Sequence, residues 1–210
     1  MDPGAFAAGG YDTSNCTLSN EFVGCGTTFE LEPTKKKGEP WREKVLYRFR
    51  GYPQDGAGPN DGVVLDAKGN LYGTAVGGGS ADEGVVFQLA ATGVGGWVEA
   101  ILTAFQGGYD AAAPMGGVLF NSSGNLYGTT CLGGPVGNGV LYELKSSQEH
   151  NTAWTYEALY AFKVAPDGAC PAGSLAVDKA SGVYGTTQQG GNTGQFCGHQ
   201  GCGTVFKAMP

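Results

Sequence analysis

The sequence predicts an all-β fold, and three observations lead to that prediction. Short apolar or alternating stretches are separated by Gly, Asp and Asn turns along all 210 residues, and none has the character of a helix. The same landmarks recur with a period of about 55 residues. Each period holds four such stretches, as one blade of a propeller does. We therefore expect a β-propeller built from four-stranded antiparallel blades.

The recurring landmarks keep their spacing. Four copies of a string like GVVFQL begin at Gly26, Gly84, Gly139 and Gly203. Three Trp residues are followed by Leu five residues later and Phe eight residues later, namely Trp41, Trp97 and Trp154. Three Asp residues precede a Pro by four residues and a Tyr by 17, namely Asp55, Asp110 and Asp167. These Tyr landmarks lie in GNLYGT, which occurs twice, and in the looser copy SGVYGT.

One repeat unit shows how the four strands are assigned. Strand A is Gly116–Phe120, B is Asn125–Thr130, C is Gly139–Leu144 and D is Trp154–Phe162. Strand A is placed innermost because it is short, apolar and flanked by Gly. Strand D is placed at the outer edge because it is the longest and alternates with charge.

The whole chain, 1–210, is predicted to be a single β-propeller-type domain. Its repeat units are 26–83, 84–138 and 139–202, with a final strand at 203–208. The strands occur in the order C, D, then ABCD twice, then ABC, which is about three blades plus extra N-terminal strands. Three blades do not close a ring. Either the N-terminal strands close a distorted small ring, or a homodimer completes the ring. We favour the homodimer because it removes exposed strand edges.

Composition excludes several function classes. Hydrophobic residues make up 41% of a chain with 39 Gly, which excludes a disordered tract. Charged residues make up only 15%, the net charge is -7, and the basic cluster is limited to Lys35 to Lys37, so nucleic acid is not an expected partner. No apolar run is long enough to span a bilayer. No G-x-S-x-G elbow, P-loop or H-E-x-x-H is present.

A family resemblance rests on three segments, Pro59–Thr74, Gly84–Leu89 and Trp97–Phe105, and on the last copy, VYGTTQQGGNTGQFCGHQGCGTVFKAMP. Together they resemble the GloVer tandem repeat of exported bacterial proteins. That resemblance covers nearly the whole chain and implies a repeat fold of this type and export. More distantly, strand A followed by D-x-x-G-N-L-Y is similar to the NHL and gluconolactonase-like propellers.

Six Cys in an acidic, Lys-poor chain favour a secreted or periplasmic protein with disulfides. The repeat suggests their pairing. Cys16 with Cys25 and Cys197 with Cys202 flank matching loops, and Cys131 and Cys170 lie on the same face of neighbouring units. The rival is a zinc site of Cys197, His199 and Cys202, which lacks a familiar spacing and a fourth ligand.

The three recurring Asp residues, Asp55, Asp110 and Asp167, have two interpretations. They form a ring of carboxylates suited to calcium, or each one caps its own turn through backbone N–H groups. Asn60 and Asp61 break the repeat just before an inner strand, so they are further calcium candidates, with a solvated loop as the alternative. Asp82 and Glu83 add acidity to the same face, where again a solvated loop is the alternative.

Two function hypotheses follow. In the first, the protein is a calcium-dependent hydrolase of small esters or lactones. Asn60 and Asp61, helped by the Asp ring, hold the metal, and His199 or Glu83 moves protons. His150, in contrast, is expected to be merely solvated.

In the second hypothesis, the protein is a non-catalytic propeller module that binds carbohydrate or a surface. Its stacking residues are exposed aromatic side chains in the loops, Tyr11, Tyr52, Tyr109 and Phe196.

Overall fold

The structure is a computed structural model that describes residues 3–6, 16, 24–146, 153–163, 165–195 and 197–210. The described residues form strands and no helix, so the predicted all-β class is confirmed. His150, Tyr11 and Phe196 lie outside the described residues.

The strands form four main sheets that follow one another along the chain, and all their pairings are antiparallel. The first sheet has the order β1-β2-β3, with β1 at Pro3–Phe6, β2 at Thr27–Glu32 and β3 at Arg42–Arg48. The second contains β4 (Gly56–Pro59), β5 (Val64–Leu65), β6 (Leu71–Gly78), β7 (Val85–Ala91) and β8 (Trp97–Ala104). In it, β4 and β5 both pair with β6.

The third sheet contains β10 (Leu119–Phe120), β11 (Leu126–Thr130), β13 (Val140–Lys145) and β14 (Thr155–Ala161). Beside it, β9 (Ala111–Ala112) pairs with β12 (Leu132–Gly133). The fourth contains β15 (Gly168–Pro171), β16 (Ala176–Val177), β17 (Val183–Gly190) and β18 (Thr204–Ala208). Strands B, C and D of the predicted unit therefore correspond to β11, β13 and β14 within one or two residues.

Strand A is shorter than predicted, since only Leu119–Phe120 (β10) of the predicted Gly116–Phe120 is a strand. A break separates β10 from β9, which lies before the predicted bounds. Ala113 lies between them with a positive φ of 53°, and its N–H donates to the carbonyl of Glu83 in the preceding unit at 2.9 Å. Pro114 follows and has no N–H to give to a ladder. The residues before the other two Pro landmarks, Gly58 and Cys170, also have positive φ and donate to the preceding unit. The break therefore joins neighbouring units.

The four sheets pack face to face in sequence order, with one apolar cluster at each of the three junctions. The Phe of the Trp-Leu-Phe landmark contacts an aromatic ring of the next sheet at every junction. Ring centroids are 4.9 to 5.4 Å apart in these pairs, which are Phe49 with Phe87, Phe105 with Tyr142, and Phe162 with Phe206. Edge-to-face packing of this kind adds to the stabilisation from burial.

The repeated string GNLYGT forms the hairpin turn into the second strand of its sheet. Asp66 accepts hydrogen bonds from the N–H groups of Lys68 and Asn70 at 2.8 and 2.9 Å, and Gly69 takes the positive φ of 83° that the turn needs. Gly73 lies opposite Phe87, and a Cβ at Gly73 would be 2.7 Å from Phe87 Cζ. The string therefore serves to form the turn and to leave space for the aromatic ring opposite Gly73.

None of the four sheets closes on itself, and within the described residues no strand pairing connects the first sheet to the fourth. The order of the strands within the second and third sheets agrees with the predicted order A, B, C, D. The extra strands that were predicted at the N-terminus are β2 and β3, which form a separate first sheet with β1, so the structure has four main sheets. A closed propeller ring stays a prediction.

Candidate functional site

The three recurring Asp residues cap their own turns. Asp55 accepts from the N–H groups of Arg50 and Gly56 at 2.8 and 2.7 Å. Asp110 accepts from Gln106 N–H at 2.9 Å. Asp167 accepts from Lys163 N–H at 2.9 Å and from the Tyr160 hydroxyl at 2.8 Å. The structure thus gives each carboxylate the turn-capping role that the sequence allowed.

Asp61 and Asn60 connect three successive units at their inner strands. Asp61 Oδ2 accepts from Gly117 N–H at 2.7 Å and from the Ser174 hydroxyl at 3.0 Å, and its Oδ1 accepts from Gly62 N–H at 2.7 Å. Asn60 Nδ2 donates to the carbonyl of Met115 at 3.1 Å. Asn60 and Asp61 differ from the matching residues of the other units, and these contacts give them a role in joining units. Neither the capping of a turn nor a solvated loop would require such contacts.

His199 and Glu83 are not brought together with Asp61. His199 is exposed in the loop closed by the disulfide of Cys197 and Cys202, and among the described residues no hydrogen bond or ion pair links it to a carboxylate. Glu83 is half-buried against Gly107. Within the described part of the chain, no three His, Cys, Asp or Glu side chains are grouped so that they could hold a metal ion. The catalytic and calcium assignments stay predictions.

All six Cys form disulfides with the predicted partners. Cys16 is bonded to Cys25, Cys131 to Cys170 and Cys197 to Cys202, and no free Cys remains. The bridge from Cys131 to Cys170 joins the third and fourth sheets.

A cavity of about 410 Å³ lies between the first and second sheets. The side chains that line it do not include Asp61, Glu83 or His199. The turn after β3 supplies Arg50, Tyr52 and Asp55, and the beginning of β8 supplies Trp97 and Glu99. Tyr52 is 46% exposed, while Trp97 also packs against the apolar cluster between the two sheets. We call this the Asp55–Glu99 cavity.

Two carboxyl groups face each other in the Asp55–Glu99 cavity. Burial, reinforced by the neighbouring Asp55, raises the pKa of Glu99 to about 9. Glu99 Oε1 is buried without a hydrogen-bond partner among the described residues. Asp55 receives, besides its two turn contacts, a hydrogen bond from the Tyr47 hydroxyl at 3.0 Å, and Arg50 Nε lies 4.0 Å away. Glu99 is therefore a neutral proton donor at pH 7 beside an acceptor carboxylate.

Comparison between units shows that the residue at the Glu99 position varies: the first sheet has Glu43 there, which is exposed. The next unit has Tyr156 two residues after its Trp, where the second sheet has Glu99. Tyr156 packs on Phe105 and Tyr142, with ring centroids 6.0 and 5.8 Å away. The fold accommodates an aromatic ring at this position, so it does not require a buried carboxyl.

Neither Glu99 nor Trp97 is predicted as a site residue from the sequence. The residues two positions after each Trp, which are Glu43, Glu99 and Tyr156, do not single out Glu99, because its burial is set by how the first and second sheets pack. The partner, Asp55, was identified, but as a ligand in a ring of Asp residues.

Among the described residues there is no helix long and apolar enough to cross a membrane. No curated protein matches the chain. The family model of the Gloeobacter/Verrucomicrobia repeat matches residues 11–210, so it covers both the Asp55–Glu99 cavity and the three sheet junctions. The resemblance drawn from the sequence is thereby confirmed, and the chain belongs to the Gloeobacter/Verrucomicrobia repeat family.

Proposed function

We propose that the protein is an exported carbohydrate-binding repeat protein that holds its ligand in the Asp55–Glu99 cavity. One observation carries the proposal: the accessible ring of Tyr52 shares a cavity with Trp97 and with the carboxyl groups of Asp55 and Glu99. Three disulfides support export to an oxidising compartment.

The chemistry of the lining suits a sugar. The C–H face of a pyranose packs on aromatic rings, and its hydroxyl groups both donate and accept hydrogen bonds. Neutral Glu99 offers a donor as well as an acceptor, Asp55 offers an acceptor, and Arg50 offers donors. A volume of about 410 Å³ is in the range of small-ligand sites.

The burial of Glu99 adds to the support, because the matching Glu43 of the first sheet is exposed. A buried carboxyl oxygen without a partner costs free energy, and the fold has an alternative in Tyr156 at the matching position. A carboxyl that is kept here at this cost, where an aromatic ring would fit, supports a role for Glu99 in the cavity.

Hydrolysis of a small ester or lactone is the second candidate function. The observation that favours it is the pairing of protonated Glu99 with Asp55, because a positioned acid of raised pKa suits proton transfer to a leaving group. A calcium requirement has less support, since the three recurring Asp residues and Asp61 use oxygen atoms in hydrogen bonds within the protein.

The test is calorimetric titration of the protein with a panel of neutral and acidic oligosaccharides. For any sugar that binds, Tyr52→Ala and Glu99→Gln are expected to raise the Kd at least tenfold. Tyr109→Ala is the matched control, since Tyr109 is an exposed Tyr in the corresponding turn of the next unit. Binding that Tyr109→Ala abolishes and Tyr52→Ala leaves intact would refute this site.

A parallel assay separates the second candidate. The same proteins are incubated with chromogenic esters and lactones, with calcium and with chelator. Turnover that is unchanged by chelator and falls at least a hundredfold in the Glu99→Gln variant would establish acid catalysis in this cavity. Turnover that needs calcium and is lost in Asp61→Asn would instead favour the metal-dependent hydrolase.

A further inference from the structure

The fourth sheet has one face with no neighbouring sheet among the described residues. In the second and third sheets, Val86 and Leu141 point toward the following sheet, and both are 0% exposed. Val205 holds the same position in β18, yet it is 80% exposed. Tyr184 also lies on this face, where it corresponds to the buried Tyr72 of the second sheet. We call Tyr184 and Val205 the last end face.

The first sheet has the complementary face, which points away from the second sheet. Phe87 and Leu89 of the second sheet are buried against the first sheet. Their counterparts in β2 are Phe29, which is half-buried, and Leu31, which is exposed. Trp41 corresponds to Trp97, which packs in the cluster between the sheets, but Trp41 is 61% exposed. We call Phe29, Leu31 and Trp41 the first end face.

The junction between the second and third sheets shows how two such faces fit. Tyr72 of the second sheet contacts Trp154 of the third, with ring centroids 6.0 Å apart. Tyr184 is the counterpart of Tyr72, and Trp41 is the counterpart of Trp154. One chain thus carries both halves of a junction of the kind that stacks its own sheets.

We propose that the last end face of one chain docks on the first end face of a second copy, which extends the stack of sheets head to tail. Tyr184 then packs on Trp41, and Val205 is buried against Phe29 and Leu31. The occupant is a second copy because Tyr184 and Val205 repeat Tyr72 and Val86, which face the third sheet. Phe29, Leu31 and Trp41 likewise repeat Tyr142, Leu144 and Trp154, which face the second sheet. Such a contact is heterologous, so two chains close a ring only when both junctions form.

The test is the solution mass measured by light scattering and sedimentation over a range of protein concentrations. The wild-type chain is expected to form dimers. Val205→Asp and Trp41→Asp should each raise the dissociation constant at least a hundredfold, because a buried unpaired charge opposes docking. Both side chains are exposed in the single chain, so the variants should keep the wild-type circular dichroism spectrum.

Mixing the two variants tests the head-to-tail geometry. The Trp41→Asp chain keeps its last end face and the Val205→Asp chain keeps its first end face, so an equimolar mixture should form one-to-one pairs. Val94→Asp is the control, because Val94 is 92% exposed in the turn between β7 and β8 and belongs to neither face. A wild-type chain that stays monomeric, or a Val205→Asp chain that still dimerises alone, would overturn the proposal.

Discussion

Replacing Glu99 by Gln should make the protein more stable at alkaline pH. The pKa of Glu99 is raised from an ordinary 4.5 to about 9 in the folded protein. Between these two values the unfolded chain has released the Glu99 proton while the folded chain retains it. Because the folded state binds more protons, the free energy of unfolding falls as the pH rises. The amide side chain of the Glu99→Gln variant is neutral in both states and removes that dependence.

The size of the effect follows from the shift in pKa. A group that stays protonated only in the folded state costs about 1.4 kcal/mol for each pH unit. From pH 5 to pH 8 this amounts to an upper bound of about 4 kcal/mol. The cavity is open to water on one side, so screening reduces the expected difference to about 2 kcal/mol. Glu99→Gln should therefore exceed the wild type by about 2 kcal/mol at pH 8 and by much less at pH 5.

The assay is urea unfolding followed by Trp fluorescence at pH 5, 6, 7 and 8. The matched control is Glu43→Gln, because Glu43 lies two residues after Trp41 in the first sheet, as Glu99 does after Trp97, but is exposed. Its pH profile should parallel that of the wild type. Parallel profiles for the wild type and Glu99→Gln would refute the conclusion that Glu99 is neutral in the cavity.

Three further changes test the repeat scaffold, each by thermal or urea unfolding. Gly73→Ala should cost about 1–3 kcal/mol because its Cβ would lie 2.7 Å from Phe87 Cζ, and an unchanged stability would show that the ring has room to move. Ser181→Gly should stabilise by about 1 kcal/mol because Ser181 has a φ of 67° where the other copies of the turn have Gly, and a loss of stability would contradict this. Replacing Cys131 and Cys170 together by Ser opens a loop with a sequence separation of 39 and should lower the free energy of unfolding by about 4 kcal/mol. Unfolding that is unchanged after the disulfide is reduced would contradict the structural role of this bridge.

Much of the fold follows from local sequence. The turns of GNLYGT need Asp66 and Gly69, the strands alternate, and the spacing of the repeat places the same elements in the same order. The disulfide partners were also predictable, because Cys131 and Cys170 follow and precede strands whose order the repeat defines. These features depend on residues close in sequence or on their regular repetition.

The break in the inner strand was less predictable. Its cause is the N–H of Ala113, which donates to the carbonyl of Glu83 in the preceding unit. This N–H therefore makes no hydrogen bond to a strand of its own sheet. A pattern of apolar residues alone cannot show that a backbone N–H bonds the preceding unit in place of a strand in its own sheet.

Turn chemistry and alternation act over a few residues, so the amino-acid sequence alone was enough to establish the all-β class, the repeat and the strand order. Which polar groups meet depended on the tertiary structure. Asp61 bonds Ser174, which is 113 residues away, and Glu99 faces Asp55 across a cavity between two sheets. Those encounters depend on how one sheet stacks on the next, and that geometry is set by the packing of whole faces.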